Sequence, residues 1–249
     1  MLLSLSGFLF EDVYRTQSVS FEQFCDIARS AGYQGVELRR TQVTPQTPPD
    51  ERRRLLEIVK SADLTVTCLT ARGIPESGTD RERFFDGYLE LCVQMRCGLM
   101  KIAGDAQWLR QAAQKAAAFN VTLATNNHGG GPLQTVAGTR CQLAQVNHPN
   151  YGLLYDPLHL HSAGEDYLGC INEFADQTHN LLVQSIITGE GKDISGGSRV
   201  PNWSLVLSKY RQLGYDRLVT VIENGYPVDR RQSVAMRCSQ LLKQWWNET

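Results

Sequence analysis

The stretch LMKIAGDAQWLRQAAQKAAAFNVTLATN (99–126) reads as strand, helix and strand in succession. LMKIAG (99–104) and VTLATN (121–126) are short apolar runs, and the residues between them are amphipathic at helical spacing, the cue for a βαβ unit over a parallel sheet. The same alternation continues outward to both ends of the chain. On the N-terminal side lie LTVTCLT (64–70), GVELR (35–39) and LLSLSG (2–7); on the C-terminal side lie YGLLYD (151–156), LLVQSIIT (181–188) and RLVTVIEN (217–224). Eight strand–helix pairs in 249 residues predict a single (β/α)8 TIM barrel over residues 1–249, because a doubly wound sheet usually has fewer strands. No linker, low-complexity tract or charge run marks a domain boundary.

The helices carry their own signals. SFEQFCDIARSAGY (20–33) opens with Ser20 and has Gln23 three residues on, a capping box, and stops at Gly32; Phe21, Phe24, Ile27, Ala28 and Ala31 share one face. PPDERRRLLEIVKSADL (48–64) starts with prolines and acids, as the helix dipole favours. GPLQTVAGTRCQLAQV (131–146) and EDYLGCINEFADQT (165–178) also read as helices.

Lys and Arg number 25 against 26 Asp and Glu, so the net charge of −1 gives no support to a nucleic-acid or anionic-membrane partner. No apolar run reaches the roughly 18–20 residues of a membrane helix. The start MLLSLSGFLFEDVYR lacks a basic segment and a cleavage site, so a soluble, cytoplasmic protein is expected. The seven cysteines are odd in number and lack a C-x-x-C pair, which predicts reduced core residues. Trp245 and Trp246 sit together on the last helix, where one of them is a candidate subunit contact in a homo-oligomer.

Barrel sites lie where strands end. Strand two ends Glu37-Leu38-Arg39, strand four carries Lys101, strand five ends Asn126-Asn127-His128, strand six ends Asp156-Pro157-Leu158-His159, strand seven contains Gln184 and strand eight ends Glu223-Asn224. A carboxylate at the end of an apolar strand needs a cation or donors to offset its desolvation, so Asp156 and Glu223 suggest a shared cation. Lys101 needs a partner inside the barrel: Glu37 in an ion pair, or a substrate carboxylate. His128, in NNHGGG, and His159 are placed to meet a ligand in the mouth. The loop GEGKDISGGSR (189–199) offers Lys192, Arg199 and backbone amides to an anion.

Through AGYQGVELR (31–39), VTLATNNHGG (121–130), YGLLYDPLHLH (151–161) and LVTVIENG (218–225), the chain resembles the xylose isomerase-like TIM-barrel superfamily of sugar isomerases and epimerases over nearly its whole length. The resemblance implies a divalent metal held at the ends of strands five to eight. Asp156 and Glu223 match two of its ligands, and His159 matches the histidine that follows the strand-six Asp. Asn126 stands where a Glu is expected and Gln184 where a His is expected. Amide oxygens at both positions would make an all-oxygen site, favouring Mg²⁺ or Mn²⁺ over Zn²⁺, or leave a pocket with no metal.

What the resemblance then implies is a metal-assisted isomerase or epimerase acting on a small sugar, keto sugar or sugar acid through an enediolate. With one carboxylate retained where two-sided epimerisation uses a pair, Glu223, His159 and Lys101 are the candidate proton carriers, and Glu37, Arg39, His128, Lys192 and Arg199 the candidate substrate contacts. A decarboxylase or dehydratase of a keto sugar acid, and a non-catalytic binding barrel with a degraded metal site, are the alternatives. A DNA-repair nuclease of the same superfamily would need a metal cluster richer in His and Glu.

Overall fold

The computed structural model describes residues 1–12, 16–187 and 200–248. Eight parallel strands close into a barrel: β1 (Leu2–Ser6), β2 (Gly35–Leu38), β3 (Thr65–Thr70), β4 (Leu99–Lys101), β5 (Thr122–Asn126), β6 (Tyr151–Tyr155), β7 (Thr178–Val183) and β8 (Leu218–Val221). Each pairs with its sequence neighbours, and β8 returns to β1 through Leu2↔Leu218 and Leu5↔Val221. Around them run α1 (Phe21–Ser30), α2 (Pro49–Ser61), α3 (Thr79–Gln94), α4 (Ala106–Ala117), α5 (Val136–Val146), α6 (Pro157–Ser162), α7 (Ile171–Phe174), α8 (Trp203–Gln212) and α9 (Arg231–Glu248). The expected barrel is therefore what the chain forms.

Local signals act as read where they are complete. Ser20 and Gln23 exchange both hydrogen bonds of the capping box at α1, and Gly32 beyond its end has φ +78°. Three elements differ from expectation. β7 begins at Thr178, because that residue is buried, its hydroxyl donating to the Phe174 carbonyl, and Asn180 pairs with both neighbouring strands. Gln184 consequently lies just past the strand. The helix expected over 165–178 contracts to α7 and a 3-10 turn at Ala175–Gln177. A two-stranded hairpin, Glu11–Asp12 with Thr16–Gln17, stands beside the mouth.

Side-chain alternation decides what the barrel contains. Cys68, Leu99, Ala124, Leu154, Leu182, Leu218 and Ile222 form a small cluster, one residue from most strands, with Phe8 packed on it. The larger core lies outside the strands, under the helices. Two residues beyond those inward positions, in the same parity, come Thr70, Lys101, Asn126, Asp156, Gln184 and Asn224.

The cysteines are all free; six are buried, while Cys141 is exposed on α5 and is not a core residue. Trp245 and Trp246 both pack, partly buried, against the core of their own chain. Among the described residues no helix is long and apolar enough to cross a membrane.

Candidate active site

A cavity of about 590 Å³ opens at the C-terminal ends of the strands. Its centre is Asp156, 1% exposed, which caps α6 by accepting from Leu158 N at 3.1 Å. The other carboxylate oxygen faces three donors: Gln184 Nε2 at 2.7 Å, Asn126 Nδ2 at 3.4 Å and His159 Nε2 at 3.5 Å. Asn127 locks the backbone beneath it, Oδ1 accepting from Asp156 N at 2.7 Å and Nδ2 donating to Asp156 O at 2.8 Å. Burial raises the Asp156 pKa above the ordinary carboxyl value, opposed by His159, Gln184 and Lys101.

His159 reaches this point because α6 begins at Pro157, directly after the strand, so one helical turn brings residue 159 back over residue 156. Burial pushes its imidazole below the usual 6.5, with the Asp156 charge resisting. The His128 ring lies 4.1 Å from it, centroid to centroid. Gly129 passes so close that a Cβ there would sit 3.3 Å from His159 Nδ1. His128 and His159 thus form one wall of the cavity.

A neighbouring wall is cationic. Lys101 lines the cavity, and burial holds its pKa below the usual 10.5, opposed first by the charge of Glu37. No ion pair or hydrogen bond joins Lys101 to Glu37 among the described residues. Glu37, fully buried, instead accepts from Thr70 Oγ1 at 2.9 Å and pairs with Arg39 Nη1 at 3.6 Å. Arg39 also donates from Nε to Glu11 at 3.1 Å and lies over the Phe8 ring at 4.3 Å. Arg39 therefore lines the cavity as a braced cation, and Glu37 sits behind it rather than on the surface a substrate would touch.

Glu223 is a correction. It does not line the cavity: Oε1 accepts from Ile186 N at 2.7 Å and Oε2 from Tyr226 Oη at 3.2 Å, with Cys238 Sγ of α9 at 3.9 Å. Leu218 and Ile222 face inward, so Glu223 has the opposite parity and turns toward α9, leaving Asn224 at the mouth. Lys192 and Arg199 lie outside the described residues. Phe8, Thr70, Arg72 and Asn224 line the cavity without having been singled out as site residues. Counting in twos from Cys68 and Ile222 would have found Thr70 and Asn224; nothing in the sequence points to Phe8.

A closed parallel barrel with a polar cavity at its strand C-termini defines the TIM-barrel enzyme arrangement. The chain belongs to the xylose isomerase-like TIM barrel family, whose model matches residues 25–233. No curated protein matches it by sequence. Among solved structures, it is similar to the probable 3-DHS dehydratase AsbF from Bacillus anthracis, at 16% identity and TM-score 0.75 over 98% of this chain and 99% of that one. It is also similar to a D-psicose 3-epimerase crystallised with D-fructose, at 12% identity and TM-score 0.79 over 99% of each chain. The IOLI protein, solved with a zinc atom, aligns at 14% identity and TM-score 0.73 over 100% of this chain and 99% of that one. At these identities the likeness shows the fold alone.

The family resemblance implies a metal, and the residues at hand do not fit one. Gln184 and Asn126 turn amide N–H groups, not oxygens, toward Asp156, and Glu223 faces away. Among the described residues no three His, Cys, Asp or Glu converge. The ligand set expected at Asp156, Glu223, Gln184 and Asn126 is thus a carboxylate already satisfied by donors.

Proposed function

We propose that this barrel is an enzyme that moves a proton at the carbon beside the carbonyl of a small polyhydroxylated compound, a sugar or sugar acid, using one acid/base group and no divalent metal. The observation that carries the reading is the His159–Asp156 pair in a cavity that Lys101 and Arg39 also line. His159, neutral at physiological pH, takes the proton, and the buried carboxylate stabilises the imidazolium that results. Lys101 and the braced Arg39 offset negative charge as it develops on the carbonyl oxygen. The Asn126 Oδ1 atom, buried and without a hydrogen-bond partner among the described residues, is an acceptor for a substrate hydroxyl.

The imidazolium can return its proton to the neighbouring carbon, giving aldose–ketose isomerisation on one face. A second reading is supported by Arg72, exposed at the cavity rim on the cationic side. A substrate carboxylate held there would leave His159 to protonate a departing hydroxyl, which is dehydration of a keto sugar acid. Either outcome begins with the same proton transfer. Incubating chelator-treated protein in D₂O with three- to six-carbon aldoses, ketoses and keto sugar acids should place deuterium beside the carbonyl of a substrate. His159→Gln should slow that exchange by about 10²-fold or more. Absence of exchange, isomerisation and elimination across the panel would overturn the reading.

A further inference from the structure

Of the two cations seated inside the barrel, Arg39 is committed to Glu11 and Glu37. The Lys101 ammonium has no hydrogen bond or ion pair among the described residues, yet the side chain shares the cavity with Asp156, His159 and Asn126. Lys101 is half-buried on the cavity wall, so a molecule that fills the cavity and displaces water from the ammonium would have to offer it an acceptor in return. Two acceptors nearby, Glu37 Oε2 behind the cavity wall and Asn126 Oδ1, are buried and have no hydrogen-bond partner among the described residues. Unmet donors and acceptors around one cavity mark a place completed by a ligand.

We propose that Lys101 is a nucleophile that forms an imine with the carbonyl carbon of the substrate. This rests on the reading of the mouth as a carbonyl site and supplies its missing electrophilic step. The neutral Nζ lone pair forms the C–N bond as the C=O π bond opens, and one proton of the resulting ammonium passes by way of His159 to the alkoxide, giving a neutral carbinolamine. His159 then takes a proton from water and gives it to that hydroxyl, which leaves as water as the nitrogen lone pair closes to C=N, so that a protonated imine and a neutral His159 remain. No oxidant, reductant or metal enters, and hydrolysis restores the amine. The protonated imine acidifies the neighbouring C–H as a metal-bound carbonyl would, so His159 needs no second carboxylate opposite it.

The surroundings favour the neutral amine the addition requires. Burial is the largest influence on Lys101, and the charge of Arg39 adds to it; Glu37, Cys68 and Asp156 act the other way, and the net direction is downward. Placement is equally suitable. Lys101 ends β4 and Asp156 follows β6, with β5 and its Asn126 between them, so amine, hydroxyl acceptor and proton carrier span one side of the mouth.

The test traps the imine. Full-length protein is incubated separately with dihydroxyacetone and hydroxypyruvate, then reduced with sodium borohydride and mapped by peptide mass. Binding of each unreduced probe is followed in parallel by saturation-transfer NMR. The expected result is a probe-derived secondary amine on Lys101, formed at least about tenfold faster than on exposed lysines such as Lys60 or Lys243. Lys101→Arg, which keeps the charge and folds around a similar side chain, should still bind the probe and form no such adduct. If a probe binds but labelling is absent or spread evenly over the lysines, the imine proposal fails and the carbonyl site stands. If neither probe binds, both fall together.

Discussion

His159 and Asp156 behave as a unit because each sets the charge of the other. Burial lowers the imidazole pKa while the carboxylate resists, so the base form persists below the ordinary 6.5. Proton exchange should therefore hold steady through neutral pH and fall only on a limb more acidic than 6.5. Asp156→Asn removes the resisting charge and should move that limb further to acid, which a pH profile of deuterium uptake reads directly. Glu223, by contrast, is a buried acid behind the site. Its pKa is raised above 4.5 by burial, so the folded state holds the proton more tightly than the unfolded chain. Stability is then lost as pH rises from about 4.5 through the raised value, where the unfolded chain ionises first. Glu223→Gln keeps an acceptor for Ile186 N and should match the native protein in acid, be the more stable of the two above that window, and leave turnover unchanged. Urea melts across pH check the first part; loss of turnover would return Glu223 to the catalytic machinery.

At the scale of elements, the barrel depends on close approach where β6 meets β7. A Cβ on Gly152 would lie 2.3 Å from the Gln177 carbonyl oxygen and 2.4 Å from His179 Cδ2. The nearer obstacle is backbone, so Gly152→Ala should cost roughly 2–3 kcal/mol in denaturant titration. The capping box of α1 makes a smaller contribution: Ser20→Ala should cost about 1 kcal/mol and leave activity alone. These elements also show how far the sequence could be read. Apolar runs and caps are local, so all eight strands and the exchange between Ser20 and Gln23 were legible. The start of β7 was not, because Thr178 and Asn180 are polar residues whose burial depends on neighbours distant in the chain. Nor was the shortening of the helix over 165–178, which tertiary packing decided. Most of the site was visible from the polar residues that end strands. Glu223 was misplaced because a strand-end carboxylate was read without counting parity from Ile222.

For the whole molecule, the charge balance, the closed barrel and the cavity at its strand ends support the proposed small-molecule chemistry, and the cationic wall is what gives that proposal its kind. The mouth has a carboxylate held by amide donors and, among the described residues, a lysine whose ammonium meets no partner. Removing Lys101 should thus have a larger effect than removing any ion: Lys101→Met should abolish exchange on substrates that the chelated native protein turns over, measured by deuterium uptake. The most direct test of this arrangement needs no substrate. Manganese, magnesium and zinc would be titrated calorimetrically into chelator-treated native protein and into Asp156→Ala. Superimposable isotherms, with no binding that depends on Asp156, are the predicted result. Stoichiometric binding in the native protein that Asp156→Ala eliminates would contradict it and restore a metal to the centre of the site.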